Sequence, residues 1–222
     1  GITKRRTSPS GERYFRAAAC TGALYHIDLY LVCGELPDLS AGVYHFGPHD
    51  FALRCLRPGD YRQVLIQASG QEPGVARAPA FLVCTSTYWR NAWKYQARTY
   101  RHCFWDAGTV LANMLAAGAA LKLPMRIVAG FTDAAVNQLL DLDTDREVAL
   151  AVVPFGSTGR STPDTPPAIE SLHLPTVPLS KTEVDYPAIR AMHTASTLTA
   201  DEVLSWRGAF PVRPVPPPTG RL

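Results

Sequence analysis

Apolar and polar positions along the chain divide it into short elements. Residues 27–33, Ile-Asp-Leu-Tyr-Leu-Val-Cys, alternate and then run apolar, which predicts a partly buried strand closed by turn residues from Gly34 to Asp38. Val43-Tyr44-His45-Phe46 predicts a second strand, Gly47-Pro48-His49-Asp50 a turn, and Phe51 to Leu56 a third strand, so residues 43–56 form a β-hairpin. Asp60 predicts the cap of a helix reaching about Ser69, with Val64, Leu65 and Ala68 at helical spacing. Ala80 to Ser86 is a further strand. From Ala97 to Leu123 the period changes to 3.6, with Phe104, Ala107, Leu111, Leu115, Gly118 and Ala119 on one stripe. Gly108, Ala112, Ala116 and Ala117 leave room for close approach on that helix, which stops before Pro124. Met125 to Val128 is short and apolar. Asp133 caps a helix to Leu140 that buries Ala135, Val136, Leu139 and Leu140, and Glu147 to Phe155 is the last strand. Residues 1–15 are polar and basic, with a turn signal at Pro9-Ser10-Gly11, and predict an irregular lead-in.

The tail changes character. Residues 157–222 hold 11 of the 19 prolines, and Thr162 to Pro167 and Val212 to Pro218 have linker composition. Between them, Val184 to Thr194 predicts one helix carrying Tyr186, Ile189 and Met192. The expected organisation is a domain over 1–156 followed by a proline-rich extension or linker over 157–222. Strands interleaved with helices, and an early hairpin, indicate an α+β fold with a long central helix.

Composition narrows the function classes. With 222 residues, 46% hydrophobic and 18% charged, the chain is globular and long enough for a sizeable core. A net charge of +3 gives no basis for nucleic-acid or membrane binding, and no apolar run spans a bilayer. No apolar core follows Gly1-Ile2-Thr3-Lys4-Arg5-Arg6, so no signal peptide is expected. The five cysteines (Cys20, Cys33, Cys55, Cys84 and Cys103) form no C-x-x-C pair, which predicts reduced thiols and a cytoplasmic setting. The histidines lack metal-binding spacing, so no metal centre is expected.

Three stretches carry candidate chemistry. Arg16 to His26 places small residues and Gly22 before a strand, where backbone N–H groups can approach a ligand and Arg16 can supply charge. Trp93-Lys94-Tyr95, followed by Arg98, Tyr100 and Arg101, groups aromatic and basic side chains at the entrance to the long helix. A lysine beside aromatic walls loses solvation and becomes a usable base, and an adjacent tyrosine can pass or donate a proton. Val128-Ala129-Gly130-Phe131 can present a backbone N–H after a short strand. Each also has a plain structural explanation as a tight loop, a solvated helix start or an ordinary turn. Cys20 has no legible His/Asp pairing and is not expected to be a nucleophile.

In order, these segments resemble the SagB-type dehydrogenase branch of the nitroreductase family. That branch has a Pro-Ser-Ala-Gly-Ala-Leu-Tyr-Pro-like loop before an acidic residue, Leu, Tyr and a strand; here the stretch runs from Ala19-Cys20-Thr21-Gly22-Ala23-Leu24-Tyr25-His26 to Tyr30. Gly42-Val43-Tyr44-His45-Phe46 matches its hairpin, Lys94-Tyr95 its Lys-Tyr pair, and Arg98 to Arg101 and Asp106-Ala107-Gly108 the run that follows. Gly130 to Asp133, Leu139 to Asp143 and Val153 to Gly156 complete the match over residues 16–156. The resemblance implies a nitroreductase-like mixed sheet flanked by helices and an FMN-dependent oxidoreductase. It also implies a flavin at the interface of a homodimer, or of a pairing with a second nitroreductase-like domain. Members associated with cyclodehydratases oxidise azolines in modified peptides to azoles. By position, Lys94 and Tyr95 take the catalytic role, Arg16, Cys20, Thr21, Gly22 and Ala23 touch the flavin, and Ala129 and Gly130 lie at its N5 edge.

The chain also departs from the pattern. Ala19-Cys20-Thr21 replaces Pro-Ser-Ala, His26 replaces Pro, and Thr109 stands where His is frequent. The family's N-terminal helix, whose arginines grip the FMN phosphate, has no counterpart, and each such charge-assisted bond is worth about 1.5–3 kcal/mol. Lys4, Arg5 and Arg6 are the nearest basic residues. The expectation is therefore part of a longer or tandem protein. Two alternatives stay open: a non-catalytic partner or scaffold domain, and an NAD(P)H-dependent nitro or quinone reductase.

Overall fold

The computed structural model describes residues 1–9, 11–157, 165–174 and 177–209. Its centre is a five-stranded sheet. The strands are β3 (Ile27–Cys33), β4 (Gly42–Gly47), β5 (Ala52–Pro58), β6 (Ala80–Thr87) and β7 (Glu147–Phe155), in the order β5-β4-β3-β6-β7. All four ladders of this sheet are antiparallel, and outside the strands a parallel bridge joins Thr132 to Leu198. Alternation along the strands divides the core. Tyr30 and Val32 of β3, with Phe81 and Val83 of β6, pack on one face with α1 (Arg62–Ala68) and α5 (Asp133–Leu140). Ile27 and Cys84 face the other way, onto α3 (Trp89–Tyr95), α4 (Thr99–Ala120) and α6 (Pro187–Thr194). A short helix, α2 (Pro73–Ala76), precedes β6, and α7 (Ala200–Ala209) follows α6.

Four sequence expectations are corrected. The irregular lead-in is a hairpin of β1 (Ile2–Ser8) and β2 (Gly11–Arg16). It is mostly exposed and so shows no hydrophobic alternation; Arg5 pairs with Glu12, and Arg6 lies over the Phe15 ring at 5.8 Å. The long helix starts at Thr99, because Gln96 takes φ +53° and breaks it from α3, which carries Lys94 and Tyr95. Its buried side follows the expected stripe only in part. Ala107 and Gly118 are buried as expected, but Phe104 and Leu115 are exposed, and His102, Cys103 and Asp106 are buried instead. Polar His102 and Asp106 go inside because they hydrogen-bond there, and a count of apolar residues misses them. Finally, α7 was not expected: among its described side chains Val203 alone is buried, so no stripe marks it.

The expected helix at 184–194 begins at Pro187, whose missing N–H suits a first helical position, and Ile189 enters the core. Val212 to Pro218 lies outside the described residues. Among the described residues, no helix is long and apolar enough to cross a membrane.

Candidate functional site

The loop before β3 is held by one carboxylate from α4. Asp106 is buried, with Oδ1 accepting from the Thr21 hydroxyl at 2.8 Å and from the Thr21 backbone N–H at 3.0 Å. Its Oδ2 accepts from the Cys20 thiol at 3.1 Å and from His26 Nε2 at 2.8 Å. Burial alone raises an aspartate pKa, but these bonds outweigh it and hold Asp106 below its ordinary value. His26 is buried, which lowers its pKa against the pull of Asp106, so its ring is neutral. Nε2–H then donates to Asp106, and Nδ1 accepts from the Ser86 hydroxyl at 2.8 Å. Cys20 does have a His and an Asp beside it, contrary to the sequence expectation. However, its thiol donates to the carboxylate, and burial followed by Asp106 pushes its pKa up to about 12. A thiol so held is a poor nucleophile.

Above this anchor the backbone is bent sharply. Gly22, Ala23 and Tyr25 take φ of +64°, +54° and +51°, a region that costs side-chain-bearing residues about 1–2 kcal/mol. A Cβ on Gly22 would lie 2.8 Å from the Tyr95 hydroxyl, so only glycine admits that ring. Tyr95 is also edge-on to His102, at 4.6 Å between centroids, and Lys94 Nζ lies 5.3 Å from the Tyr95 ring. The fold thus brings Cys20, Thr21, Gly22, Tyr95 and Lys94 into one neighbourhood. Lys94 is exposed, with Trp93, Phe104 and Trp105 exposed around the same helices.

Arg16 turns inward. Its guanidinium donates to the Ile27 carbonyl at 3.3 Å and lies 5.2 Å from the Tyr25 ring, and burial lowers its pKa.

Ala129 and Gly130 lie elsewhere. They line a cleft of about 700 Å³ with Glu72, Arg126, Ile127, Trp206 and Arg207, and none of Cys20–Ala23, Lys94 or Tyr95 lines it. The Trp206 ring rests on Gly130, leaving no room for a Cβ. Arg126 and Arg207 both pair with Glu72, the latter at 3.2 Å, so two guanidiniums share one carboxylate. The sequence reading missed Asp106 as an anchor and missed both arginines. Asp106 stood in a quoted motif, whereas Arg207 lies on the unexpected α7.

The nitroreductase family profile matches residues 22–157, more than half of the chain. The chain is 30% identical over 156 residues to the microcin B17-processing protein McbC of Escherichia coli, covering 68% of this chain and 53% of McbC. A nitroreductase structure from Anabaena variabilis superposes with a TM-score of 0.74 at 28% identity, over 90% of this chain and 41% of that one. The Escherichia coli microcin synthetase complex McbBCD, with truncated pro-microcin bound, superposes with a TM-score of 0.59 at 25% identity, over 67% of this chain and 57% of that one. The chain therefore spans about half the length of these relatives. It belongs to the nitroreductase family, and its processing relative supports the SagB-type branch.

Proposed function

We propose that this chain is a flavin-dependent oxidoreductase that dehydrogenates azolines in a modified peptide, working as a pair of nitroreductase-like domains in the cytoplasm. The family match carries this reading, together with the 30% identity to a microcin-processing protein. The residues fit FMN in two parts. The Gly130 cleft is within the size range of ligand sites, has apolar walls in Ile127 and Trp206, and holds two guanidiniums against one carboxylate, an excess that suits a phosphate. The Gly22 loop with Lys94 and Tyr95 has the groups for handling a proton. In a homodimer, the loop of one copy faces the cleft of the other. The exposed Trp93, Phe104 and Trp105 supply apolar surface for such pairing, and at Gly108 an added Cβ would meet nothing within 4 Å, which leaves space for close approach.

When bound, the flavin supplies the hydride acceptor for the ring carbon being oxidised. In this reading Lys94 takes the proton from the neighbouring carbon, and a second copy covering Trp93 and Phe104 withdraws solvent from it. The Tyr95 ring, seated against Gly22, fixes the end of α3 so that Lys94 stays in reach. Ile127 and Trp206 exclude water from the flat ring, and Arg126 and Arg207 hold the anionic end.

The test is to add FMN to the purified chain and follow azole formation on an azoline-bearing peptide. The expected protein is yellow and active, and Lys94→Ala keeps its flavin while kcat falls about 10²–10⁴-fold. A chain that takes up no FMN overturns the reading in favour of a scaffold domain. Unchanged turnover in Lys94→Ala, with flavin bound, removes the base.

A further inference from the structure

Cys20, His26 and Asp106 each bring one possible ligand atom together, and the three atoms lie within 4.8 Å of one another. We infer that these residues form a binding site for a borderline divalent cation, zinc above all, behind the loop that precedes β3. The convergence on Asp106 carries this. Oδ2 meets both Cys20 Sγ and His26 Nε2. Thr21 holds the carboxylate from behind, its hydroxyl on Oδ1 and its backbone N–H shared between Oδ1 and Oδ2 at 3.0 Å and 2.9 Å.

The surroundings are those of a ligand set with outer support. Ser86 Oγ lies 2.8 Å from His26 Nδ1 and 3.2 Å from Cys103 Sγ, so it can accept from a protonated Nδ1 and pass its own hydrogen on to sulfur. With an ion bound, Ser86 would accept the Nδ1–H and so support the tautomer whose Nε2 lone pair faces the metal, the reverse of the metal-free arrangement. The Tyr25 backbone N–H donates to Cys20 Sγ at 3.0 Å, a bond that favours thiolate. Ligands on a tetrahedral zinc sit roughly 3.2–3.7 Å apart, given Zn–S near 2.3 Å and Zn–N near 2.0–2.1 Å. The two separations from Asp106 Oδ2, 2.8 Å and 3.1 Å, would open by roughly half an ångström to reach that range, and the Cys20–His26 pair lies within 4.8 Å. Thiolate, imidazole and carboxylate together select zinc over magnesium or calcium. Cys20 is only partly buried, which leaves the fourth position to water.

The protons balance simply. The metal replaces the Cys20 S–H proton, which leaves to solvent, and the His26 proton moves from Nε2 to Nδ1, where it donates to Ser86. Asp106 is already ionised. One proton is released per ion, and nothing is oxidised or reduced.

The experiment titrates the full chain with Zn²⁺ against a chromophoric zinc indicator, without flavin and again with FMN added, and repeats the titration with Co²⁺. The expected result is one ion per chain, one proton released near pH 7, and a thiolate-to-cobalt absorption in the near ultraviolet. Cys20→Ser and His26→Gln, shown by circular dichroism to stay folded, abolish all three signals. Cys55→Ser, which changes an exposed thiol, leaves them intact, and Ser86→Ala weakens binding roughly 10–100-fold. If the wild type binds no more Zn²⁺ than Cys20→Ser, or if cobalt gives no thiolate absorption, the site does not exist. Because the titration is complete without flavin, its failure leaves the oxidoreductase reading standing, and the reverse also holds.

Discussion

The knot around Asp106 and the cleft at Gly130 sit in the same domain and solve opposite problems. In the knot, each polar atom of Cys20, Thr21, His26 and Asp106 that faces inward meets another, and the loop above is bent through three positive φ angles. In the cleft, the walls are apolar, the room is about 700 Å³, and two arginines lean on one glutamate. A saturated network fixes geometry and must give up a hydrogen bond for any ligand it takes, whereas an open cleft with excess positive charge offers binding energy with little fixed geometry. In the proposed reading the loop above the knot supplies geometry and the cleft supplies binding, so a flavin needs both.

The contrast is broken most severely at Asp106. Asp106→Ala leaves His26, Thr21 and Cys20 without their acceptor and is expected to cost several kcal/mol in denaturant unfolding, at about 1–3 kcal/mol for each stranded buried donor. Arg207→Ala in the cleft is expected to change stability by no more than about 1 kcal/mol, because its ion pair is partly exposed. The same variant is expected to lose FMN binding. If the two variants proved equally destabilising, the division between a structural knot and a binding cleft would fail.

Gly22→Ala is the next test. The position has φ +64° and the new Cβ would press on the Tyr95 hydroxyl, so a loss of about 1–2 kcal/mol is expected by urea unfolding, with Tyr95 displaced. A stability unchanged from wild type would show that Tyr95 does not depend on the glycine.

Acid gives the gentlest probe. His26 has a lowered pKa in the fold, so the unfolded chain takes up its proton first, at about pH 6.5. Its contribution is complete above that pH and fades as pH falls toward the folded value. Asp106, also lowered, adds a second loss below about pH 4. Melting curves from pH 8 to pH 3.5 should show both stages, and His26→Gln should remove the first. A wild-type melting temperature flat between pH 7 and pH 5 would contradict a neutral, buried His26.

The legible parts of the molecule were those whose burial repeats along the chain. The strands β3, β4, β6 and β7 and the helix α5 follow from the spacing of apolar residues, since their inward positions are apolar. Asp133, expected as the cap of α5, is instead its first residue, and its carboxylate accepts from the Leu198 backbone N–H at 2.8 Å. The β1–β2 hairpin was illegible because its ladder is backbone, with Lys4, Arg5 and Arg6 on exposed positions. The break at Gln96 depends on a left-handed turn that glutamine does not advertise. The lysine–tyrosine pair and the Gly22 loop were found by motif, and the fold brings them together. The anchor beneath them joins positions 20, 26 and 106, which no local spacing connects. Gly130 was expected beside the loop, yet in a single copy it lies under Trp206 in the separate cleft.

That separation gives the most direct test of the central proposal, that one flavin site is built from two copies. Ala23 in the loop and Ala129 in the cleft are both exposed, so tryptophan at either fills its half-site without entering the core. Ala23→Trp and Ala129→Trp, each purified alone, are expected to bind no FMN. After unfolding and refolding together, the mixed dimers carry one intact site, made from the loop of one copy and the cleft of the other, and bind about one FMN per mixed dimer. Recovery of flavin on mixing is the predicted result; mixed dimers that form but stay colourless would contradict the account.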